Sequence, residues 1–275
     1  MSNIHTAALV SQNAKIGQNT SIGANTVIGE NVKIGDNVVI GSNVVVDGDT
    51  SIGDGTHIFP FAAIGMIPQD LKFKGEKSKL IIGKNNRIRE NVTIHLGTSG
   101  GGLTTEIKDN CLIMIGCHIA HDCRISNNVI MANNVTLGGH VEIDEFAVLG
   151  GKSGVHQFVR IGKHSMLGAM SALEGDVVPY SRVLGNRARL VGLNIVGLKR
   201  NDIFDKNDVK ELKKAYDFLF FSSDNSTFND RLKNTISTFP DNKLVKDVIS
   251  FIKNPSSRSL CLSSRKNSSN EITND

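Results

Sequence analysis

Residues 116–123, GCHIAHDC, place two histidines, one aspartate and two cysteines within eight positions. Imidazole, carboxylate and thiolate are the side chains that hold zinc; imidazole beside carboxylate is also how a general base is paired with an acid that orients it. Further histidines stand at 95, 140 and 156, and Asp70 and Lys72 supply an acid and a cation upstream. What these residues can do depends on which of them the chain brings together.

The elements that must position them are legible as a repeat. An aliphatic residue recurs every six positions from Val10 to Ile64, from Ile82 to Ile94 and from Ile107 to Leu173. Many are followed by a small residue with Asn or Asp close behind, as in AKIGQN and VKIGDN. A six-residue period fits neither a helix nor a long flat strand, but it fits a short strand followed by a turn. It is the mark of a hexapeptide parallel β-helix, in which three hexads close one 18-residue coil and coils stack about 4.8 Å apart. The aliphatic and the residue two before it point inward; their neighbours point out.

That rule assigns Cys111, Cys117 and Cys123, each two before an isoleucine, to the core as small hydrophobes. There is no C-x-x-C and no disulfide pattern, so a reducing compartment fits. The rhythm fails where Asp70 and Glu76, and then Gly100 and Glu106, would have to face the core. Charged groups cannot do so unpaired, so the chain must leave the coil there, by twelve extra residues and then by seven. Such excursions are where repeat proteins place function.

Coil arithmetic then aligns the polar residues. One coil beyond His121 is Gly139, beside His140, and a second coil reaches Gln157, beside His156. One coil back, corrected for the seven-residue excursion, falls beside His95, and another reaches the root of the loop that carries Asp70 and Lys72. Asp70/Lys72, His95, His118/His121, His140 and His156/Gln157 should therefore line one edge of the prism. One histidine on a turn is most simply a solvated one, whereas five in line argue for a groove.

The composition sets outer limits. Of 275 residues 39% are hydrophobic and 5% aromatic, with no Trp, so the core is aliphatic. No apolar run approaches a membrane span and the first ten residues do not resemble a signal peptide, which makes membrane insertion unexpected and a cytoplasmic location the default. A net charge of +4 lacks the concentrated basic stripe of a nucleic-acid binder. After about residue 190 the pattern turns helical. Leu212, Ala215, Tyr216, Leu219 and Phe220 form a stripe over 207–221 with Asn207 or Asp208 as N-cap, and two more helices are expected over 226–238 and 241–253. We therefore expect an all-β parallel β-helix over 1–189 with loops at 65–79 and 96–106, a small α-helical domain over 190–254, and a disordered polar tail over 255–275.

Several motifs carry a closer resemblance. QDLKFKGE (69–76), NRIRENVTIHLGT (86–98), HIAHDC (118–123), GGHV (138–141), VHQF (155–158) and GLNIVGLKR (192–200) are similar, in order, to the UDP-N-acetylglucosamine acyltransferases. That resemblance implies a left-handed coil and a cytoplasmic homotrimer with its site between subunits. The implied reaction moves an (R)-3-hydroxyacyl group from acyl carrier protein to the 3-hydroxyl of UDP-N-acetylglucosamine, with no metal and no cofactor. It makes His121 the base, Asp122 its orienter and Gly139 the oxyanion donor. Asp70, Lys72, His95, His118, His140, His156 and Gln157 would contact the sugar, diphosphate or acyl chain. Asn194 and Arg200 would hold the nucleotide, and Ala169 would set acyl length. Val196 and Asn201 depart from the family's usual acid and second arginine, which puts some nucleotide contacts in doubt. Lys199, Arg200, Lys206, Lys210, Lys213 and Lys214 would suit an acidic carrier protein, although a solvated helix face has the same composition. Three rivals remain: a zinc hydratase of the γ-carbonic anhydrase kind built on three histidines, a sibling N-acyltransferase, and a scaffold without catalysis; within the resemblance, the acceptor can bear a 3-amine instead of a 3-hydroxyl. The sibling N-acyltransferase shares the hexads but carries an extra N-terminal uridine-binding domain.

Overall fold

The computed structural model describes residues 2–200, 204–223 and 226–263. Among these residues, three sheets of eleven, nine and eight strands form the faces of a left-handed parallel β-helix. Successive two-residue strands pass from one face to the next: Leu112–Ile113, His118–Ile119 and Arg124–Ile125 belong to three different sheets. Within a face, registers are strict, as in Ile94↔Ile119↔Leu137. The turns require left-handed backbone, and asparagine, the side chain that tolerates it best after glycine, fills many of these corners: Asn19, Asn25, Asn37 and Asn43 all have φ between 55° and 58°.

The inward positions are those the hexad rule assigns. Ile64, Ile94, Ile119 and Leu137 are fully buried, as are the residues two before them. Where that second residue is polar, it is satisfied. Thr20 Oγ1 donates to Gly35 O at 2.8 Å and accepts from Val38 N–H at 3.2 Å. The three core cysteines repeat the Thr20 pattern with a weaker donor, each reaching the carbonyl fifteen residues on: Ser126 O at 3.1 Å, Ala132 O at 3.0 Å and Gly138 O at 3.2 Å. Burial pushes the Cys123 thiol up to about 12, so it stays protonated at neutral pH.

Both excursions occur with the expected lengths. Ile52 pairs with Ile82, and Ile82 with Ile107, intervals that exceed one coil by twelve and by seven residues. Their bounds are narrower than 65–79 and 96–106, because strands extend over Ala63–Met66, Lys79–Ile82 and Thr104–Ile107. Glu106 thus lies in a strand and faces out opposite Arg124, since the seven-residue insertion resets the phase and gives the inward places to Thr105 and Ile107.

The last coil is closed by an antiparallel hairpin, Ser181–Leu184 with Arg189–Leu193, which the hexad pattern did not announce. Four helices follow among the described residues: α1 (Ile195–Arg200), α2 (Lys206–Phe221), α3 (Phe228–Thr238) and α4 (Lys243–Lys253). The short α1 was not expected. The N-cap of α2 is Asp205, not Asn207 or Asp208; its carboxylate accepts from both of their N–H groups. Of the expected α2 stripe, Leu212, Ala215, Tyr216 and Leu219 are buried and Phe220 is half-buried against the core. Tyr216 OH donates to Pro179 O and pairs with Ser181 Oγ in the interior, and the half-buried Asp247 of α4 accepts from Tyr180 OH and pairs with Lys163, so polar contacts tie the helices to the coil.

The tail expectation fails for 255–263. This segment returns along the coil as a strap: Asp176 N–H donates to Ser259 O, Cys261 N–H donates to Asp176 O, and the buried Cys261 thiol reaches Ala188 O. Its small polar residues suggested disorder, but the backbone pairing on Asp176 needs no large side chains. Residues 264–275, and Asn201, lie outside the described residues.

Candidate active site

At one corner of the prism the left-handed position is held by Asp122, His140 and Phe158 on three consecutive coils, with φ of 60°, 61° and 64°. Asp122 turns its carboxylate back beneath the coil, where it is 3% exposed. Oδ2 accepts from His121 Nδ1–H at 2.8 Å and from Thr98 Oγ1–H at 2.6 Å, while Oδ1 accepts from Thr98 N–H at 2.9 Å. Asp122 N–H in turn donates to Thr105 Oγ1 at 2.8 Å. A buried carboxylate with three donors is held rigidly in place as an acceptor. With Nδ1–H committed to it, His121 keeps its lone pair on Nε2, the arrangement of a general base.

Gly139 covers that base. A Cβ at 139 would stand 2.5 Å from His121 Cε1 and 2.7 Å from Nε2, so any side chain there would displace the ring. Close approach, and not a positive φ, is what demands glycine at this corner. The Gly139 N–H donates to no group among the described residues.

Around this pair runs a groove of about 600 Å³ lined by His95, His118, His121, Gly139, His156 and Gln157, with Gln69 from the first excursion. His118 Nδ1 lies 2.7 Å from Thr93 Oγ1, and its ring meets His95 edge-on at 4.8 Å. His95 is buried with Nδ1 unpartnered, and burial, with His118 and His121 nearby, drives its basicity down to about 4. Burial also lowers His118 and His140. His140 stacks on Phe158 at 4.3 Å, with Nε2 3.9 Å from Asp122 Oδ2; Asp122 and Asp70 oppose the effect of burial on it. Asp70 caps its own loop by accepting from Lys72 N–H at 2.9 Å, and the Lys72 side chain is exposed on that loop.

Other expected residues are elsewhere in this chain. Asn194 is buried, donates to His164 O and accepts from Gly197 N–H, so it anchors α1, whose last residue is the exposed Arg200. His164 belongs to the corner between Arg160–Ile161 and Met166–Leu167, a different edge of the prism from His121. Ala169 is exposed on the third edge. Within one chain, therefore, His121, Arg200 and Ala169 do not converge.

Sequence reasoning overlooked Thr98, Thr105, Gly101 and Arg258. Gly101 lies against Asp122 so closely that a Cβ would come within 2.0 Å of Cγ. One coil back from Asp122, corrected by seven, is 97, so counting reaches the excursion beside the carboxylate but not which of its residues turn back onto it. As for a metal, His121, Asp122 and His140 bring ligand atoms within 4.8 Å of one another, but the Asp122 carboxylate already accepts three hydrogen bonds, from Thr98 and His121. That set, two imidazoles and an engaged carboxylate, does not fit the three-histidine zinc site of a hydratase.

Comparison with known proteins concerns the chain as a whole. The chain matches the family described as "Udp N-acetylglucosamine O-acyltransferase; Domain 2" over residues 176–261 and the bacterial transferase hexapeptide over 13–48 and 104–139. It is 47% identical over 255 residues to the acyl-[acyl-carrier-protein]–UDP-N-acetylglucosamine O-acyltransferase of Aliarcobacter butzleri, covering 92% of this chain and 96% of the relative. With that of Myxococcus xanthus it shares 50% over 222 residues, 81% and 86% of the two chains. Among solved structures, the UDP-N-acetylglucosamine acyltransferase from Campylobacter jejuni superposes with a TM-score of 0.88 at 40% identity, covering 95% of this chain and 100% of that one. The Francisella novicida enzyme gives 0.90 at 35%, covering 96% and 95%. Resemblance in the motifs, identity along most of the chain and superposition of the coil agree, and the chain belongs to the UDP-N-acetylglucosamine O-acyltransferase family.

Proposed function

We propose that the chain transfers an (R)-3-hydroxyacyl group from acyl carrier protein to the 3-hydroxyl of UDP-N-acetylglucosamine, the first step of lipid A biosynthesis, as a cytoplasmic homotrimer. The observation that carries the mechanism is the His121–Asp122 pair at 2.8 Å with Nε2 left as the lone-pair nitrogen. Nε2 takes the proton from the sugar hydroxyl as its oxygen bonds to the thioester carbon. The carbonyl oxygen becomes an oxyanion that the Gly139 N–H meets, a donor worth roughly 3 kcal/mol in comparable sites. Collapse of the tetrahedral intermediate breaks the carbon–sulfur bond, and the departing thiolate recovers the proton from the imidazolium.

The remaining residues bind. Asp70, Lys72, His95, His118, His140, His156 and Gln157 hold the sugar, diphosphate and acyl chain along the groove. Arg200 takes the nucleotide end from α1, which Asn194 holds in place, and Ala169 limits the chain. Because Arg200 and Ala169 belong to other edges of the prism, they reach the groove from a neighbouring copy, which gives the trimer a catalytic reason. The exposed Lys206, Lys210, Lys213 and Lys214 offer a basic face for the acidic carrier. The test is turnover of UDP-N-acetylglucosamine with a panel of 3-hydroxyacyl carrier proteins. His121→Ala should lower kcat by about 10²- to 10⁴-fold; near-full turnover would overturn the reading.

A further inference from the structure

The strap carries Arg258 to the groove. Its Nε–H donates to Gln157 O at 2.8 Å and its Nη2–H to His156 Nδ1 at 2.6 Å. A guanidinium has donors only, so the 2.6 Å contact makes His156 Nδ1 the acceptor and puts the ring proton on Nε2; Gln157 O, 3.4 Å from Nδ1, is too distant to hold a proton there against it. The seat of the strap is specific. A Cβ at Gly175 would stand 2.6 Å from Ser259 O, and Asp176, which pairs with the strap on both sides, is itself locked by Arg160 N–H and Nε–H at 2.8 Å each. From these contacts we infer that Arg258 is a positioning residue for the transferase reaction: it fixes His156 as the Nε2–H tautomer, a donor presented to a substrate oxygen in the groove.

This inference rests on the function proposed above and adds a residue outside the groove to it. His156 stands two coils beyond His121, about 10 Å away. At that distance it touches a part of the substrate remote from the reacting carbon, so its hydrogen bond is made equally in ground and transition states. Loss of such a bond appears in KM and not in kcat. Without Arg258 the ring is free to present a lone pair where a donor is needed.

Arg258→Ala should raise KM for UDP-N-acetylglucosamine about tenfold, the worth of one hydrogen bond, with kcat changed less than threefold. Nitrogen-15 spectra of histidine-labelled enzyme should show His156 as the Nε2–H tautomer in the parent and a mixture in the variant. In a His156→Ala background the Arg258 substitution should add nothing, because Arg258 acts through the ring. An unchanged KM, an unchanged tautomer, or an undiminished effect in that background would each overturn the inference. Docking of the strap is read separately by protection of Cys261 from a thiol reagent in the folded protein. If Arg258→Ala exposes it, Arg258→Met, which keeps the stem and removes both donors, takes its place with the same outcomes. His121→Ala in the same assay separates the two ideas: full turnover there sinks the transferase mechanism, whereas a dead His121→Ala enzyme beside a normal Arg258→Ala enzyme sinks this inference alone.

Discussion

His95 shows what burial does to an imidazole that its histidine neighbours alone would mark as a ligand. The residue is 5% exposed and Nδ1 has no partner, so the neutral form is favoured and the folded-state basicity falls to about 4, against 6.5 for the free side chain. The unfolded chain therefore binds a proton between pH 6.5 and 4 that the folded chain refuses. Stability from this group is intact above pH 6.5 and is lost as pH falls through that window. Between about pH 7 and pH 5 the loss should be about 2 kcal/mol from His95 alone. Urea midpoints at the two pH values should show it, and His95→Gln should have a shallower dependence; an equal slope in both proteins would show that His95 does not carry the effect.

At the scale of elements, the hexad period fixed the coil, the inward positions and the lengths of both excursions, because each follows from counting in sixes. Counting in eighteens brought His95, His118, His121, Gly139, His156 and Gln157 to one groove for the same reason. What counting could not reach was contact that depends on how an excursion folds back. Thr98 and Gly101 are in a stretch that reads as loop, and Arg258 in one that reads as disordered, since their partners are far away in sequence and their backbone pairs without a hydrophobic signature. The second excursion nevertheless supports the base directly, because it supplies two of the three donors on the Asp122 carboxylate. Thr98→Val removes one of them at nearly constant volume, leaving a buried carboxylate short of a partner. We expect kcat to fall about tenfold with KM little changed, together with about 1–3 kcal/mol of stability. Steady-state kinetics and a denaturant titration check the two halves, and wild-type kcat would show that His121 needs no support from the excursion.

The whole molecule poses a geometric problem that one chain does not solve. His121 stands on the edge after His118–Ile119, while Arg200 hangs from α1, which Asn194 ties to the edge at His164. A triangular prism holds these edges apart, and stacked coils are too rigid to bend them together. If both residues serve one substrate, they come from two chains, and a closed ring of copies, three in the trimer proposed above, pairs every His121 edge with a partner's Arg200 edge. This arrangement can be read in mixtures. His121→Ala and Arg200→Ala chains, each nearly inactive alone at low UDP-N-acetylglucosamine, should regain activity when unfolded and refolded together, because some interfaces then combine an intact His121 with an intact Arg200. Random assembly of equal amounts makes about one interface in four wild-type, so activity should approach one quarter of the parent's. Chains refolded separately and then mixed should show no gain over the sum of their residual rates. If co-refolding also gives no gain, the two residues act within one chain or at different sites, and the shared-interface arrangement is wrong.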